Sequence, residues 1–330
     1  MTRVLLTGAS GFLGGHILGL LRSENVQVAA LCRSAQAAER ARALGAQPVS
    51  GELSDTVALS AALAEPTDAI FHTAADTSQW RLGNAAQTRT NVEGTRRLLF
   101  AARAAGVRRF VHTSSVAAYG RVEHTALFEA LPRLGVESWI NYERSKALGE
   151  SLVREAGLRG DIETVILNPA HIFGPGDRHN WARLILMIDQ KKLPGAPPGS
   201  GAFADVREVA KAHVSAWRTG RSGDNWLLGG EHASFLHLIQ RIAAELGRPA
   251  PRRAMPATLL RMYAAILDIV GRISGREPSL TPEAVALTSQ RLRVDSRKAE
   301  AELAYRTTPL DTLIRDTVNW LRNESMLLPR

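Results

Sequence analysis

The first half of the chain alternates short runs rich in β-branched residues with longer Ala- and Leu-rich stretches of helical period. The runs Arg3–Thr7, Val26–Leu31, Gln47–Ser50, Asp68–Thr73, Arg108–Ser114 and Ile162–Leu167 predict strands. Between them Phe12–Ser23, Ala35–Leu44, Thr56–Ala64, Thr88–Ala105 and Tyr142–Glu155 predict helices. This succession is the mark of right-handed βαβ units, so an α/β fold is expected. Its parallel, doubly wound sheet would be covered by helices on both faces and bind its ligand at the strands' carboxyl ends.

Past Pro169 the rhythm breaks into Gly- and Pro-rich turns, GPGD at 174–177 and LPGAPPGSG at 193–201, and a mostly helical remainder follows. An amphipathic helix over Asp205–Arg218 and a strand over Asn225–Leu228 predict one return to the sheet. Two domains are therefore expected: a nucleotide-binding domain over 1–168, rejoined at about 203–230, and a smaller, mostly helical substrate-binding domain over 169–330. The stretch Leu259–Ile273 is apolar nearly all round and is expected to cover core or pocket, with peripheral membrane contact as the alternative. It carries Arg261 and Asp268, so it falls short of the roughly 18 uninterrupted apolar residues of a membrane span.

Composition narrows the class. A chain of 330 residues with 45% apolar and 22% charged side chains folds without help from crosslinks. Its single cysteine, Cys32, excludes an internal disulfide and a Cys-based zinc cluster, and no histidine pair has ligand spacing, so no metal is expected. The net charge of +9 comes from scattered residues such as Arg89, Arg96, Arg97, Arg103, Arg108 and Arg109, without a nucleic-acid motif, so no nucleic acid is expected as partner. The first strand begins two residues after Met1, leaving no room for an export signal, and a cytoplasmic location is expected.

Directly after the first strand stands TGASGFLG (7–14), with glycines at intervals of three and a helix behind them. A tight turn needs glycine, and close approach of backbone to a pyrophosphate needs a missing Cβ. The helix N-terminus then offers unpaired N–H groups to the phosphates. Gly8, Ser10, Gly11, Phe12, Leu13 and Gly14 are thus the expected dinucleotide turn of a Rossmann-type sheet. Such folds, when they prefer NAD, close the second strand with an acid for the ribose 2′-hydroxyl. Here Arg33 stands there, a fork suited to a 2′-phosphate, so NADP(H) is expected over NAD(H).

Tyr142 and Lys146, in YERSK, lie one helical turn apart. A free phenol titrates at about 10, and a nearby ammonium lowers that value, so the spacing predicts a general acid–base primed by Lys146. HTSSVAAYG (112–120) ends the fifth strand and brings Ser115 to the same edge, where its hydroxyl suits a carbonyl or alkoxide oxygen. The expected catalytic set is Ser115, Tyr142 and Lys146.

In combination these marks resemble the extended short-chain dehydrogenase/reductases, within the NAD-dependent epimerase/dehydratase superfamily, over essentially the whole chain. TGASGFLG is similar to the T-G-x-x-G-x-x-G of that family, Tyr142 to Lys146 to its Y-x-x-x-K, and Ser115 to its catalytic serine. The resemblance implies that Thr73, Ala74 and Ala75 of FHTAA line the cofactor and that Asn91 is the family asparagine. It also implies that Glu52 and Leu53 lie near the adenine, Pro169 supports the nicotinamide amide, and Lys146 binds the nicotinamide ribose. The dihydroflavonol 4-reductase and 3β-hydroxysteroid dehydrogenase-like branch is most similar, through Arg33, the NP at 168–169 and DSRKAEAELAY at 295–305. Glu52 replaces a usual Asp and Ala304 a usual glycine.

The implied activity is NADPH-dependent reduction of a small-molecule ketone or aldehyde by hydride transfer, with Tyr142 as general acid–base. The rival is an NDP-sugar 4-epimerase with bound NAD, which Asn168 would suit; the arginine that grips the sugar-nucleotide diphosphate in epimerases falls at Gly201. A dehydratase would place an acid–base pair after Ser115, where Val116, Ala117 and Ala118 stand. A nicotinamide sensor would have no chemical need for the Ser–Tyr–Lys set. Trp80, His171, His179 and Trp181 join Ser115 as candidate substrate contacts, from loops around 76–84, 120–141 and 175–205. A homodimer through the helices containing Asn91–Ala105 and Tyr142–Glu155 is an expectation of the resemblance.

Overall fold

The computed structural model describes residues 2–122 and 126–328; residues 123–125 of the expected 120–141 lining loop lie outside the described residues. Seven strands form one parallel sheet: β1 (Arg3–Thr7), β2 (Gln27–Cys32), β3 (Gln47–Ser50), β4 (Ala69–His72), β5 (Arg109–Thr113), β6 (Glu163–Pro169) and β9 (Asn225–Leu228). Three more, β7 (His171–Phe173), β8 (Ser200–Asp205) and β10 (Glu231–Ser234), form a second sheet in the order β10-β8-β7.

The large sheet runs β3-β2-β1-β4-β5-β6-β9, so the chain builds outward from β1 and then reverses direction between β1 and β4. That reversal opens the ligand crevice of a doubly wound fold. The strands are buried on both faces. Val4, Leu6, Val28, Ala30 and Phe71 face one core with helices Phe12–Ser23 and Val206–Thr219, while Leu5, Ala29, Ile70 and Phe110 face another with Thr56–Ala62, Thr95–Ala104 and Asn141–Leu158. Period-two alternation between two apolar layers explains why these runs read as nearly continuous apolar segments.

The expected helix over Thr88–Ala105 is not uniform: a π-helical turn, Arg89–Gly94, separates Asn84–Thr88 from Thr95–Ala104. Close packing accounts for it. A Cβ on Gly94 would lie 2.9 Å from the Leu53 Cβ, and one on Gly149 would lie 2.6 Å from the Asn91 carbonyl oxygen. The small sheet was not announced by the sequence rhythm, because strands of three to six residues containing Gly, Ser and His show no alternation. It sits on an apolar cluster of Phe173, Phe203 and Phe235 with Ile185, Leu238 and Leu313.

The final segment makes a second contact with the large sheet. Ser296 Oγ accepts from the Gly229 amide at 2.7 Å, Glu302 accepts from the Trp226 indole at 2.8 Å, and the Tyr305 hydroxyl donates to the Gly229 carbonyl. The apolar stretch at 259–273 departs from expectation. The helix Ala257–Ser274 buries only Leu260, Ala264, Asp268 and Gly271, over a small cluster with Val285, Met255 and Leu280, and its other side faces outward. Among the described residues no helix is long and apolar enough to cross a membrane.

Candidate functional site

The ends of β1 and β4 touch at the crevice. Gly8 has φ +77°, and a Cβ there would stand 2.6 Å from Thr73 Oγ1 and 2.8 Å from the Ala74 amide nitrogen. Only glycine permits that approach. Gly14 answers to a different neighbour, since its Cβ would fall 2.0 Å from the Gly8 carbonyl oxygen. At Gly11 a Cβ would meet only that same oxygen, at 3.1 Å, and would otherwise project from an exposed position.

No side chain caps the helix beginning at Phe12, and its first turn holds no acid. Its leading N–H groups, at Phe12 and Leu13, are thus left for an anion or water. A Cβ-free face beside an uncapped helix end fits a dinucleotide diphosphate, with Ser10 half-buried in the same turn. Arg33 is exposed one residue past β2 and makes no side-chain hydrogen bond or ion pair among the described residues. Past β3, Glu52 is exposed, while Leu53 is buried against Gly94. Pro169 is buried at the end of β6.

Ala74, Ala75, Asn91 and Lys146 line one small recess together with His72 and His112. The Asn91 side chain is fully used within the protein. Its oxygen accepts from the Asp76 amide at 2.8 Å, and its nitrogen donates to the Asp76 carbonyl at 2.9 Å and to Ser145 Oγ at 3.0 Å. It therefore staples the loop after β4 to the helix Asn141–Leu158. Below it His72 bridges Thr7 Oγ1 at 2.8 Å and Thr95 Oγ1 at 3.0 Å, and burial brings its pKa down to about 3, so it is neutral.

Ser115, Tyr142 and Lys146 come together as expected from spacing and sheet topology. Burial pushes the Tyr142 phenol above its ordinary pKa, and the hydrogen bond from Ser115 pulls the other way. Lys146, which the spacing predicts to prime that phenol, lies one turn further along the same helix. The ammonium is turned to the end of β5, where Nζ donates to the Thr113 carbonyl at 2.8 Å. Burial brings Lys146 down to about 8, and the carboxylate of Glu150 acts in the opposite direction.

Glu150 is the member of this site that sequence reasoning missed. It is fully buried, one turn beyond Lys146, and takes Ser114 Oγ and Asn168 Nδ2 at 2.6 Å each, Arg133 Nε and Arg154 Nε at 2.8 Å each. Burial alone would raise its pKa; Arg154, Arg133, Ser114 and Asn168 together hold it below the usual value. The available signal was the repeat of polar residues at 142, 146 and 150, one helical face.

The candidate substrate contacts divide. The His171 and Trp181 rings lie 5.1 Å apart in an aromatic cluster with Phe203 and Phe235, where burial brings His171 down to about 4. His179 is exposed and is not brought to that cluster; its amide donates to Asp177 Oδ1 at 3.0 Å. Trp80 is half-buried in the loop after β4, and its indole Nε1 is buried without a hydrogen-bond partner.

Comparisons with known proteins accord with this geometry. The family model described as NAD dependent epimerase/dehydratase family matches residues 4–229. The chain is 30% identical to a putative dihydroflavonol 4-reductase of Synechocystis sp., over 96% of this chain and 94% of that protein. It is 32% identical to sterol demethylase protein B of Methylococcus capsulatus, over 98% and 99%. Its fold is similar to that of UDP-glucuronic acid 4-epimerase from Bacillus cereus, solved with UDP-glucuronic acid and NAD, with a TM-score of 0.78 at 22% identity over 98% and 100% of the two chains.

Proposed function

This chain belongs to the NAD-dependent epimerase/dehydratase family, and from that premise we propose that it is an NADPH-dependent reductase of a ketone or aldehyde carbonyl. The observation that carries the reading is the Ser115 hydroxyl set against the Tyr142 phenol, with Lys146 one turn on beside the Ala74–Asn91 recess.

The dinucleotide, when bound, supplies the hydride. Tyr142 gives its proton to the carbonyl oxygen as charge develops there, and Ser115 holds that oxygen by a hydrogen bond. Lys146, a cation below about pH 8, stabilises the phenolate left behind. The free Arg33 fork beyond β2 takes the 2′-phosphate that distinguishes NADPH from NADH.

Two observations weigh against a sugar-nucleotide substrate. At Gly201, the position of the epimerase arginine, a Cβ would sit 2.3 Å from the His171 ring, so no longer side chain fits. Asn168, the other epimerase mark, is fully buried and bonded to Glu150, Asn225 and the Ser115 carbonyl. The same reading includes a homodimer through the helices Thr95–Ala104 and Asn141–Leu158, supported by the exposed Phe100 and Leu148.

The test is NADPH oxidation with a panel of aromatic and aliphatic ketones. Tyr142→Phe abolishes turnover while keeping NADPH binding; equal turnover by the two proteins refutes the assignment. Arg33→Asp moves the preference from NADPH toward NADH, and an unchanged preference removes the phosphate-binding role.

A further inference from the structure

Among the described residues, the helix Ala257–Ser274 is the one long helix whose outward side is apolar along its length. Leu260, Ala264, Asp268 and Gly271 point inward. On the opposite side Leu259, Met262, Tyr263, Ile266, Ile269, Val270 and Ile273 are each 40–84% exposed. Their spacing of three and four residues makes one continuous stripe, about 20 Å long.

The helix is held in place from beneath. Asp268 is paired with Arg81 at 3.1 Å and Arg272 at 2.8 Å, and the Met255 amide before the helix donates to the Ala196 carbonyl at 2.8 Å. Arg81 opens the turn directly after Trp80, so this ridge is tied to the loop that follows β4. The charge around the stripe is mostly positive, with Glu277 the exposed acid beside Arg276. Arg252 and Arg253 precede the helix, Arg261 lies on its flank and Arg276 follows its glycine cap; all are exposed, and none has a side-chain partner among the described residues. The helix's only acid, Asp268, is buried and doubly paired.

We infer that this ridge docks on an anionic lipid surface, with the apolar stripe in the headgroup–acyl boundary and the four free arginines on the headgroup phosphates. An apolar face flanked by unpaired arginines, in a chain of net charge +9, is complementary to that surface. A second copy of the chain fits less well. Twofold pairing would set the same arginines against each other, and two convex helices meeting along a line bury well under the roughly 800 Å² per partner of a stable interface. The inference stands apart from the carbonyl-reductase reading.

The test is flotation of the full chain with vesicles of phosphatidylcholine alone and of phosphatidylcholine mixed with phosphatidylglycerol. The chain floats with the mixed vesicles, at least about tenfold more weakly with the neutral ones, and is released by salt. Ile266→Ser with Ile269→Ser abolishes flotation while leaving the melting temperature and the quenching of tryptophan fluorescence by NADPH unchanged, because both side chains are exposed. Arg252→Glu with Arg253→Glu removes the preference for anionic lipid. A chain that stays in the supernatant with both vesicles, or flotation insensitive to the isoleucine changes, overturns the inference. So does a solution dimer that the isoleucine changes split.

Discussion

Glu150→Gln separates what the buried carboxylate does for the fold from what it does for Lys146 on the same helix. The variant keeps shape and one acceptor but leaves the Arg133 and Arg154 guanidiniums, 2.8 Å away, without a counter-charge. Breaking a fully buried pair costs about 3–5 kcal/mol. Both arginine side chains keep some access to water, at 16% and 28% exposure, which reduces the expected cost to about 2–3 kcal/mol and the loss in melting temperature to about 5–10 °C. The second effect falls on Lys146. A carboxylate one turn away, about 5–6 Å by helix geometry, is worth about 3 kcal/mol at an effective dielectric near 20. Without it the Lys146 pKa falls from about 8 by about one to two pH units, and the ammonium is lost at correspondingly lower pH. The assay is the pH profile of kcat/KM for NADPH oxidation. Its alkaline limb, near pH 8 in the wild type, moves toward pH 6–7 in the variant while the acid limb stays. A limb that remains at pH 8 in a folded variant refutes the coupling, because loss of stability alone lowers activity without moving the limb.

Lys146 bears a cost of its own. Its pKa of about 8 lies below its usual 10.5, so the folded state binds fewer protons than the unfolded chain between those values. Stability therefore rises through that window, by about 3 kcal/mol, and Lys146→Met should melt higher than wild type at pH 7 but not at pH 10.5 while losing activity; a lower melt at pH 7 contradicts this. Ala304, the exposed C-cap of the helix Arg297–Leu303, has φ +54°, and Ala304→Gly should gain about 1 kcal/mol in chemical denaturation, with no gain showing that the strain is absorbed elsewhere. Gly8→Ala places a methyl against Thr73 and Ala74 at a left-handed φ and should cost about 2–4 kcal/mol together with NADPH affinity, whereas an unchanged melt would show that the loop after β4 can give way.

The parts of this site legible in the sequence are those written contiguously. The glycine turn lies in eight successive residues after a strand, and Gly14 answers to Gly8 within it, although Gly8 itself answers to Thr73 and Ala74 at the end of β4. Ser115, Tyr142 and Lys146 were legible because strand order and helical spacing place them at one edge. Glu150 was not, since a glutamate in a helix between polar neighbours reads as solvated; its burial is imposed by Arg133 from a loop and Asn168 from β6, which no local pattern carries. The side of 257–274 that faces solvent was equally hidden. Apolar residues lie on both faces, and only the small patch beneath it, around Val285, decides which is covered.

The strand end TSS at 113–115 supplies a partner to each polar turn of the helix beside it. Thr113 offers its carbonyl to Lys146, Ser114 its hydroxyl to Glu150, and Ser115 stands against Tyr142. Along the helix the burial deepens from a half-buried phenol through a buried ammonium to a fully buried carboxylate. Three consecutive residues thus fix the height, rotation and charge order of one helix against the sheet edge. A shift of β5 by one residue would exchange Ser115, set against Tyr142, with Ser114, which holds Glu150, because neighbouring strand residues point to opposite faces. The pairing of β5 with β4, from Ala69↔Arg109 to His72↔His112, and with β6, from Arg109↔Glu163 to Thr113↔Leu167, is therefore a condition of the proposed chemistry as well as of the fold.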